Sequence, residues 1–367
     1  MNNKAVIIVG GGLAGLSTAI LLRRANIPVI LLEKDTYPRQ KVCGEYISVE
    51  SELFVQELGI NTSALPHINT LELTSLKGRK ASITLKTGGF GISRWSLDHQ
   101  LASIAIQEGV DLRCNINVRK IGPNYVGTAD GQMIEGLLVA GAYGKSNPLS
   151  GILLKKERTR FIGVKYHVES DAPEDVIEMH VFRNGYCGFS KVDQNLYCLC
   201  YIAKSNDLKT HSGDFETFEN IILHENPHLK NRMKSIKVVQ NRVTTSQFHF
   251  TAYRGTTIDQ QLLLGDATGF IPPITGNGMS LAFRSAYVTS KRIEAFYNGS
   301  ISKNKLLKDQ NLYVQKYVNN RIQQGVFLQS LLLKQNWLTD AILFNAINAF
   351  PFIGETLART AVGDAIK

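Results

Sequence analysis

Residues 5–15 read AVIIVGGGLAG, and a second apolar run, PVILL, fills residues 28–32 and ends on Glu33. The first run has the length and apolarity of a buried strand, and an amphipathic stretch from the glycines to about Asn26 reads as a helix. Strand, glycine turn, helix, strand and acid thus stand in the order of a βαβ dinucleotide-binding unit. Gly10 makes the tight turn, Gly12 lets a pyrophosphate approach the backbone, and Gly15 lets the helix lie on the strand. Leu13 and Ala14 open that helix, whose free N–H groups face the phosphates. Glu33, followed by Lys34, is placed to accept hydrogen bonds from a ribose hydroxyl pair. Its charge repels a 2′-phosphate, which argues against NADP in this pocket and leaves NAD or the adenosine half of FAD.

With 367 residues the chain is long enough for two domains, or one elaborated domain, around a sizeable core. Its 44% hydrophobic and 20% charged residues exclude a disordered polymer. The five cysteines are odd in number and show no CxxC spacing, so packed thiols in a reducing, cytoplasmic setting are expected and a metal centre is not. No signal peptide precedes the first strand, and no apolar run reaches the roughly 18 residues of a spanning helix. The net charge of +10 is spread along the chain without a basic, aromatic-interleaved patch, which excludes nucleic acid as a partner. Solvated lysines explain that charge; attraction to an anionic surface is the alternative.

Pattern, rather than any linker, divides the chain. Residues 69–76 and 80–87 alternate around Lys77-Gly78 as a hairpin, 96–109 read as a helix, and 110–121 as a strand. GLLVAGAYG (136–144) is a buried strand ending in a glycine turn. Strands dominate 160–203, with one apolar face toward the nucleotide layer and one toward solvent, and Cys198 and Cys200 share a face. A helix near 213–225 and extended chain to about 254 follow, before Gln261–Leu264 returns as a buried strand. The expected fold is α/β: a discontinuous Rossmann-like nucleotide-binding domain (1–65, 94–158, 255–300), an inserted antiparallel β-rich substrate domain (66–93, 159–254) and C-terminal helices (301–367).

A second motif, LLGDATGFIPPITGNGMSLAFRSA, begins on that last strand. Asp266, after Gly265, sits where a strand ends and can accept from a sugar-alcohol hydroxyl, while Gly269 and Pro272-Pro273 keep the chain extended beside a flat ligand. Gly276, Asn277, Gly278 and Met279 open a long helix whose N-terminus stabilises the negative charge of a reduced isoalloxazine.

These two motifs together make the chain resemble the FAD-dependent oxidoreductases of the p-hydroxybenzoate hydroxylase fold, and more closely their geranylgeranyl reductase-like branch, over nearly its whole length. The resemblance implies that Glu33 holds the adenosine ribose and Asp266 the ribityl side. PRQKVCGEYIS (38–48) resembles the family's R-x-K-x-C-G turn beside the isoalloxazine. It places Cys43 and Gly44 near the flavin, with Cys43 a candidate catalytic thiol, and Arg39 and Lys41 within reach of phosphate or flavin oxygen. ISRWSLDHQL resembles the segment whose arginine touches FAD, here Arg94.

The departures are as informative. Tyr143-Gly144 stands where the family carries Asp-Gly, which argues against direct reduction by NAD(P)H, although a nicotinamide nucleotide remains a candidate donor. The reductases' Y-x-W-x-F-P segment keeps Gly185-Tyr186 but has Gly188 and Ser190 in place of large aromatics. Trp95 and Trp337 are the only tryptophans, so the W-x-W-x-I-P stretch of the halogenases is missing. Gly269, where hydroxylases have histidine, favours double-bond reduction over hydroxylation. Tyr186 and Phe189 are expected pocket-wall residues, and His167 and His180 are expected as satisfied core or surface residues.

The expected activity is oxidation–reduction of a hydrophobic isoprenoid, lipid or polyketide-type substrate, with hydroxylation and a non-catalytic electron-transfer role as alternatives. The tail from Arg321 holds apolar clusters broken by Lys334, Gln335, Asn336, Asp340 and Asn345. Such helices close the substrate cavity, or lie peripherally on a membrane surface.

Overall fold

A computed structural model describes residues 4–145, 160–245, 257–258, 261–333, 337–361 and 365–366. Its centre is β1 (Val6–Val9), buried along its whole length between two parallel neighbours. The glycine turn leads into α1 (Leu13–Arg24) and back as β2 (Val29–Leu32). The chain then crosses to a second sheet as β3 (Tyr46–Ser48) and continues through α2 (Glu52–Glu57). The expected hairpin forms as β4 (His67–Thr74) and β5 (Lys80–Gly91), with Gly78 at φ +76° in its turn. α3 (Arg94–Gln107) and β6 (Asp111–Arg113) return to the first sheet.

The segment expected as one strand at 110–121 divides there. Asn115, in the left-handed region at φ +60°, turns the chain out of the parallel sheet. β7 (Val118–Ile121), β8 (Tyr125–Thr128) and β9 (Met133–Glu135) form a small antiparallel sheet before β10 (Leu138–Gly141) pairs with β1.

Four long strands follow: β11 (Phe161–Glu169), β12 (Val176–Phe182), β13 (Gly185–Asp193) and β14 (Leu196–Lys204). Three helices come next, α4 (Ser205–Thr210), α5 (Phe215–Ile222) and α6 (Pro227–Ser235), and then β15 (Lys237–Thr244). Residues 227–235, expected as extended chain, are helical because Asn226 caps the N–H groups of His228 and Leu229 and Pro227 stands at the first helical position. β16 (Thr257–Ile258) and β17 (Gln261–Leu263) close the nucleotide-binding layer. The chain ends in α7 (Gly278–Tyr297), α8 (Lys303–Tyr313), α9 (Asn319–Leu333), α10 (Trp337–Ala349) and α11 (Pro351–Ala361).

Among the described residues the first sheet has the order β16-β17-β10-β1-β2-β6, parallel except for β16. The large sheet runs β15-β11-β14-β13-β12-β4-β5-β3, and its one parallel pair is β12 with β4. This is the expected α/β architecture, with a β-rich insertion and a helical C-terminus. β3 lies within the segment 1–65 yet pairs with β5 in the large sheet, so the two layers are stitched together at the site. The expected boundaries at 158/159 and 254/255 lie outside the described residues.

The large sheet does not show a face to solvent, as its alternation implied. Phe182, Cys187, Phe189, Tyr197, Leu199 and Tyr201 on that face are buried under Phe218, Ile222 and Leu229 of α5 and α6. At the far edge, Phe344 and Ile347 of α10 pack on Leu73 and Ile83. Among the described residues no single helix is long and apolar enough to cross a membrane, and α10 and α11 meet at a bend of 106°.

Candidate functional site

The glycine turn separates folding from binding. Gly10 has φ +106°, and a Cβ there would lie 2.4 Å from the Ala142 carbonyl oxygen. A Cβ on Gly15 would lie 2.0 Å from the Gly10 carbonyl oxygen, so α1 rests on the turn as expected. Gly12 is different: the nearest atom to its missing Cβ is Lys41 Nζ at 3.7 Å, which leaves open space over the N-terminus of α1. Leu13 and Ala14 are buried in the first turn of that helix.

Gly11, passed over in the sequence, ties the turn to β2. Its N–H donates to Glu33 Oε2 at 2.6 Å, and its carbonyl accepts from the Tyr37 hydroxyl. Arg39 lies against the same groups, donating to Glu33 Oε2 at 2.9 Å and to the Gly11 carbonyl at 3.0 Å. Burial opposes the Glu33 charge, but the Arg39 hydrogen bonds and the Arg39 and Lys41 charges outweigh it and hold its pKa at about 2. Glu33 is therefore an anion at the end of β2, and Arg39 shares the carboxylate expected to meet the ribose. Lys34 beside it is exposed.

Lys41 carries an ammonium with no hydrogen-bond acceptor among the described residues. Burial pulls its pKa down to about 8, against the attraction of Asp98. Cys43 follows, half-buried, its thiol pushed up by burial so that it holds its proton at neutral pH. Gly44 is exposed, with nothing near its missing Cβ. Arg94 opens α3 and makes a bidentate pair with the buried Asp98, at 2.7 and 2.8 Å. Burial opposes its charge, but Asp98 outweighs that and holds the guanidinium firmly protonated.

The second motif reaches the same region from the opposite side. Gly265 (φ +54°) and Asp266 form a short 3-10 turn after β17, and Gly276 (φ +67°) ends a second such turn that starts after Pro272. Asn277 caps α7, where Gly278 and the buried Met279 begin. Ser48 of β3 donates to Asn277 Oδ1 at 2.8 Å, which leaves the buried Nδ2 donor without an acceptor among the described residues. Lys145, absent from the expected site residues, lies half-buried over the Phe270 ring at 4.7 Å, its pKa pulled down by burial against the attraction of Asp266.

The inner face of the large sheet forms a wall. Phe161, Tyr186 and Ile202 pack there against Phe270 and Ile274 of the second motif. Tyr186 keeps a buried hydroxyl with no hydrogen-bond partner among the described residues. Phe189 is not on this wall: three residues along the same strand, it points the other way and stacks on Tyr197. Cys198 and Cys200 do share the inner face, and the Cys198 thiol donates to the Cys43 carbonyl at 3.3 Å.

These groups fit FAD. The open face of Gly12 and the unpartnered Lys41 ammonium suit a pyrophosphate. The orphaned Asn277 amide at the start of α7 suits a ligand oxygen. Residues 3–142 match a family model described as FAD binding domain. The chain is 23% identical over 358 residues to conditioned medium factor receptor 1 of Dictyostelium discoideum, covering 85% of this chain and 68% of that one. It is 29% identical over 173 residues to aurachin C monooxygenase/isomerase of Stigmatella aurantiaca, covering 43% of this chain and 45% of that one. The flavin-dependent brominase Bmp2 superposes with a TM-score of 0.77 at 16% identity over 99% of this chain and 94% of that one, a likeness of fold alone. Fold and site thus define an FAD-binding protein with the fold of the flavin-dependent monooxygenases and halogenases.

Proposed function

We propose that the chain reduces a carbon–carbon double bond of a hydrophobic isoprenoid, lipid or polyketide-type substrate, as the geranylgeranyl reductase-like branch does. Saturating such a bond takes a hydride and a proton. Bound FAD supplies the redox chemistry, and the chain supplies walls, position and the proton. The observation that carries this reading is the Tyr186 hydroxyl, buried in the apolar wall with no hydrogen-bond partner among the described residues. The Cys43 thiol and the Tyr186 hydroxyl are both raised by burial and both hold their protons at neutral pH. Tyr186 lies in an apolar cluster with its hydroxyl unspent, where a substrate oxygen or a carbon to be protonated would meet it. NAD(P)H is the first electron donor to try.

Hydroxylation is the second reading, favoured by the 29% identity to a monooxygenase/isomerase. Anaerobic turnover of a prenylated quinone or a geranylgeranyl lipid, with NAD(P)H or dithionite, separates the two. Reduction gives a product heavier by two hydrogens without oxygen. A product that forms only with oxygen and gains one oxygen atom replaces reduction by hydroxylation.

We propose further that the substrate is reached from a membrane surface. Phe350 and Phe352 are 55% and 63% exposed at the α10–α11 bend, and the net charge of +10 favours anionic lipid.

A further inference from the structure

Between α8 and α9 the chain reads YVQKYV (313–318), and it does not simply continue the α-helix. Val314–Val318 form a π-helical turn, in which each N–H reaches back one residue further than in an α-helix. Such turns are rare and cluster at functional sites. The two sides of this one differ. Val314 and Val318 are buried against Ile271 and Leu281 of the second motif, so the core holds that side. Tyr313 and Tyr317 lie at the edge of the same cluster, their rings within 10° of parallel and 5.7 Å apart.

α7 brings two cations over these rings. The Arg292 guanidinium lies 5.2 Å from the centre of the Tyr313 ring, and that of Arg284 lies 5.0 Å from the centre of the Tyr317 ring. Arg292, Tyr313 and Tyr317, with Asp309, Leu312 and Lys316, line a cleft of about 320 Å³. That volume is at the small end of the range for ligand sites, roughly 300–1,000 Å³.

Charge in the cleft is unbalanced. Arg292 donates to the neutral Gln310 Oε1 at 2.7 Å and forms no ion pair among the described residues. Burial pulls its pKa down, against the attraction of Asp309 and Tyr313. Asp309, the carboxylate that lines the cleft, is taken by Lys305 Nζ at 2.9 and 3.3 Å. Lys316 is exposed and forms no ion pair among the described residues. The Tyr313 hydroxyl is buried with no hydrogen-bond partner among the described residues. A buried donor left unmade is costly, and one kept in a native chain calls for a partner.

The cleft therefore offers donors of three shapes: a guanidinium, an ammonium and a hydroxyl. A carboxylate has only a pair of oxygens, which the guanidinium fork alone can satisfy. A phosphate ester carries about two negative charges at neutral pH and enough oxygens for all the donors at once. We propose that the cleft between α7 and the π-helical turn binds a small organic phosphate, with Arg292 and Lys316 on the phosphoryl oxygens and the Tyr313 hydroxyl donating to the same group. This site shares no residue with Gly12 and Lys41, where the FAD pyrophosphate is expected. The chemistry is the same for a soluble ester and for a lipid headgroup.

Calorimetric titration of the FAD-loaded protein with glycerol 3-phosphate, and flotation with phosphatidic acid vesicles, test the proposal. Bound FAD keeps the probe out of the Gly12–Lys41 site; in protein without flavin, Lys41→Met disables that site instead. The protein should bind one or both probes, and acetate at equal ionic strength should not displace them. Arg292→Gln and Lys316→Gln should each weaken binding about tenfold or more. Lys316 is exposed, so its variant reads the site even if Arg292→Gln does not fold. Tyr313→Phe should also weaken binding, yet melt no lower than the native chain, because its hydroxyl has no partner to lose. Binding of glycerol 3-phosphate identifies a soluble ester, and flotation alone, lost in the variants, identifies a lipid headgroup. Binding of neither probe overturns the proposal. So does equal displacement by acetate, or native affinity in folded Arg292→Gln or Lys316→Gln.

Discussion

The Gly11 N–H and the Glu33 carboxylate are joined by a hydrogen bond of 2.6 Å that ties the phosphate turn to the end of the neighbouring strand. The Arg39 guanidinium seals the same carboxylate, so the acid expected to meet the ribose is also a structural anion. Glu33→Gln keeps the shape but strands a nearly buried guanidinium, and loss of one partner of such a pair costs about 3–5 kcal/mol. The sign of the pH effect follows from the lowered pKa. The Glu33 contribution is fully present above its ordinary value of 4.5 and is lost as pH falls through about 2. Urea melts of the protein and of Glu33→Gln between neutral pH and pH 2 should therefore converge as the pH falls; a constant gap contradicts the pairing.

Lys41 makes FAD affinity depend on pH. Its pKa of about 8 in the free protein means that raising the pH past 8 removes the cation that the pyrophosphate needs. Affinity should be highest below pH 8 and fall above it, and Lys41→Met should bind more weakly with a flatter profile. Titration of flavin fluorescence from pH 6.5 to 9.5 checks this. Equal slopes in both proteins would remove Lys41 from the phosphate site.

Tyr186→Phe and Cys43→Ala separate the two candidate acids. Loss of the group that delivers the proton should lower turnover by about a hundredfold or more, with FAD still bound. If neither variant slows reduction, the proton comes from elsewhere and the central observation of the proposed function fails.

The C-terminal bend makes a membrane prediction. Phe350→Ser with Phe352→Ser should release the protein from anionic vesicles in flotation, and high salt should weaken binding of the native chain. Equal recovery in the soluble fraction with anionic and neutral vesicles would make the tail purely structural.

The layer around β1 was legible because its apolar runs and glycines are local signals, and the Gly10 and Gly15 contacts match the roles read from them. The α6 helix was legible too, in Asn226-Pro227, a cap followed by a residue preset for the first turn, but its polar composition hid the helical period. The placement of Phe189 follows from strand alternation once Tyr186 is placed on the inner face. The buried cluster in which the Glu45 carboxylate meets Lys165 at 2.7 Å and His167 at 2.6 Å could not be read at all. It joins a turn to strands more than a hundred residues away, and only the tertiary register of β11 brings these groups together. The same holds for Lys145, whose place beside Asp266 depends on the approach of the second motif.

Acid release of the cofactor from the purified protein tests the central claim most directly, with Gly12→Val as its control. The native chain should be yellow and release FAD, not FMN, because the turn at Gly10–Gly15 is built for an ADP moiety. Gly12→Val meets no atom closer than 3.7 Å at its new Cβ, so it should fold with native circular dichroism and yet carry no flavin. A colourless native protein, release of FMN, or a folded Gly12→Val variant with full flavin content contradicts the assignment of this site to FAD.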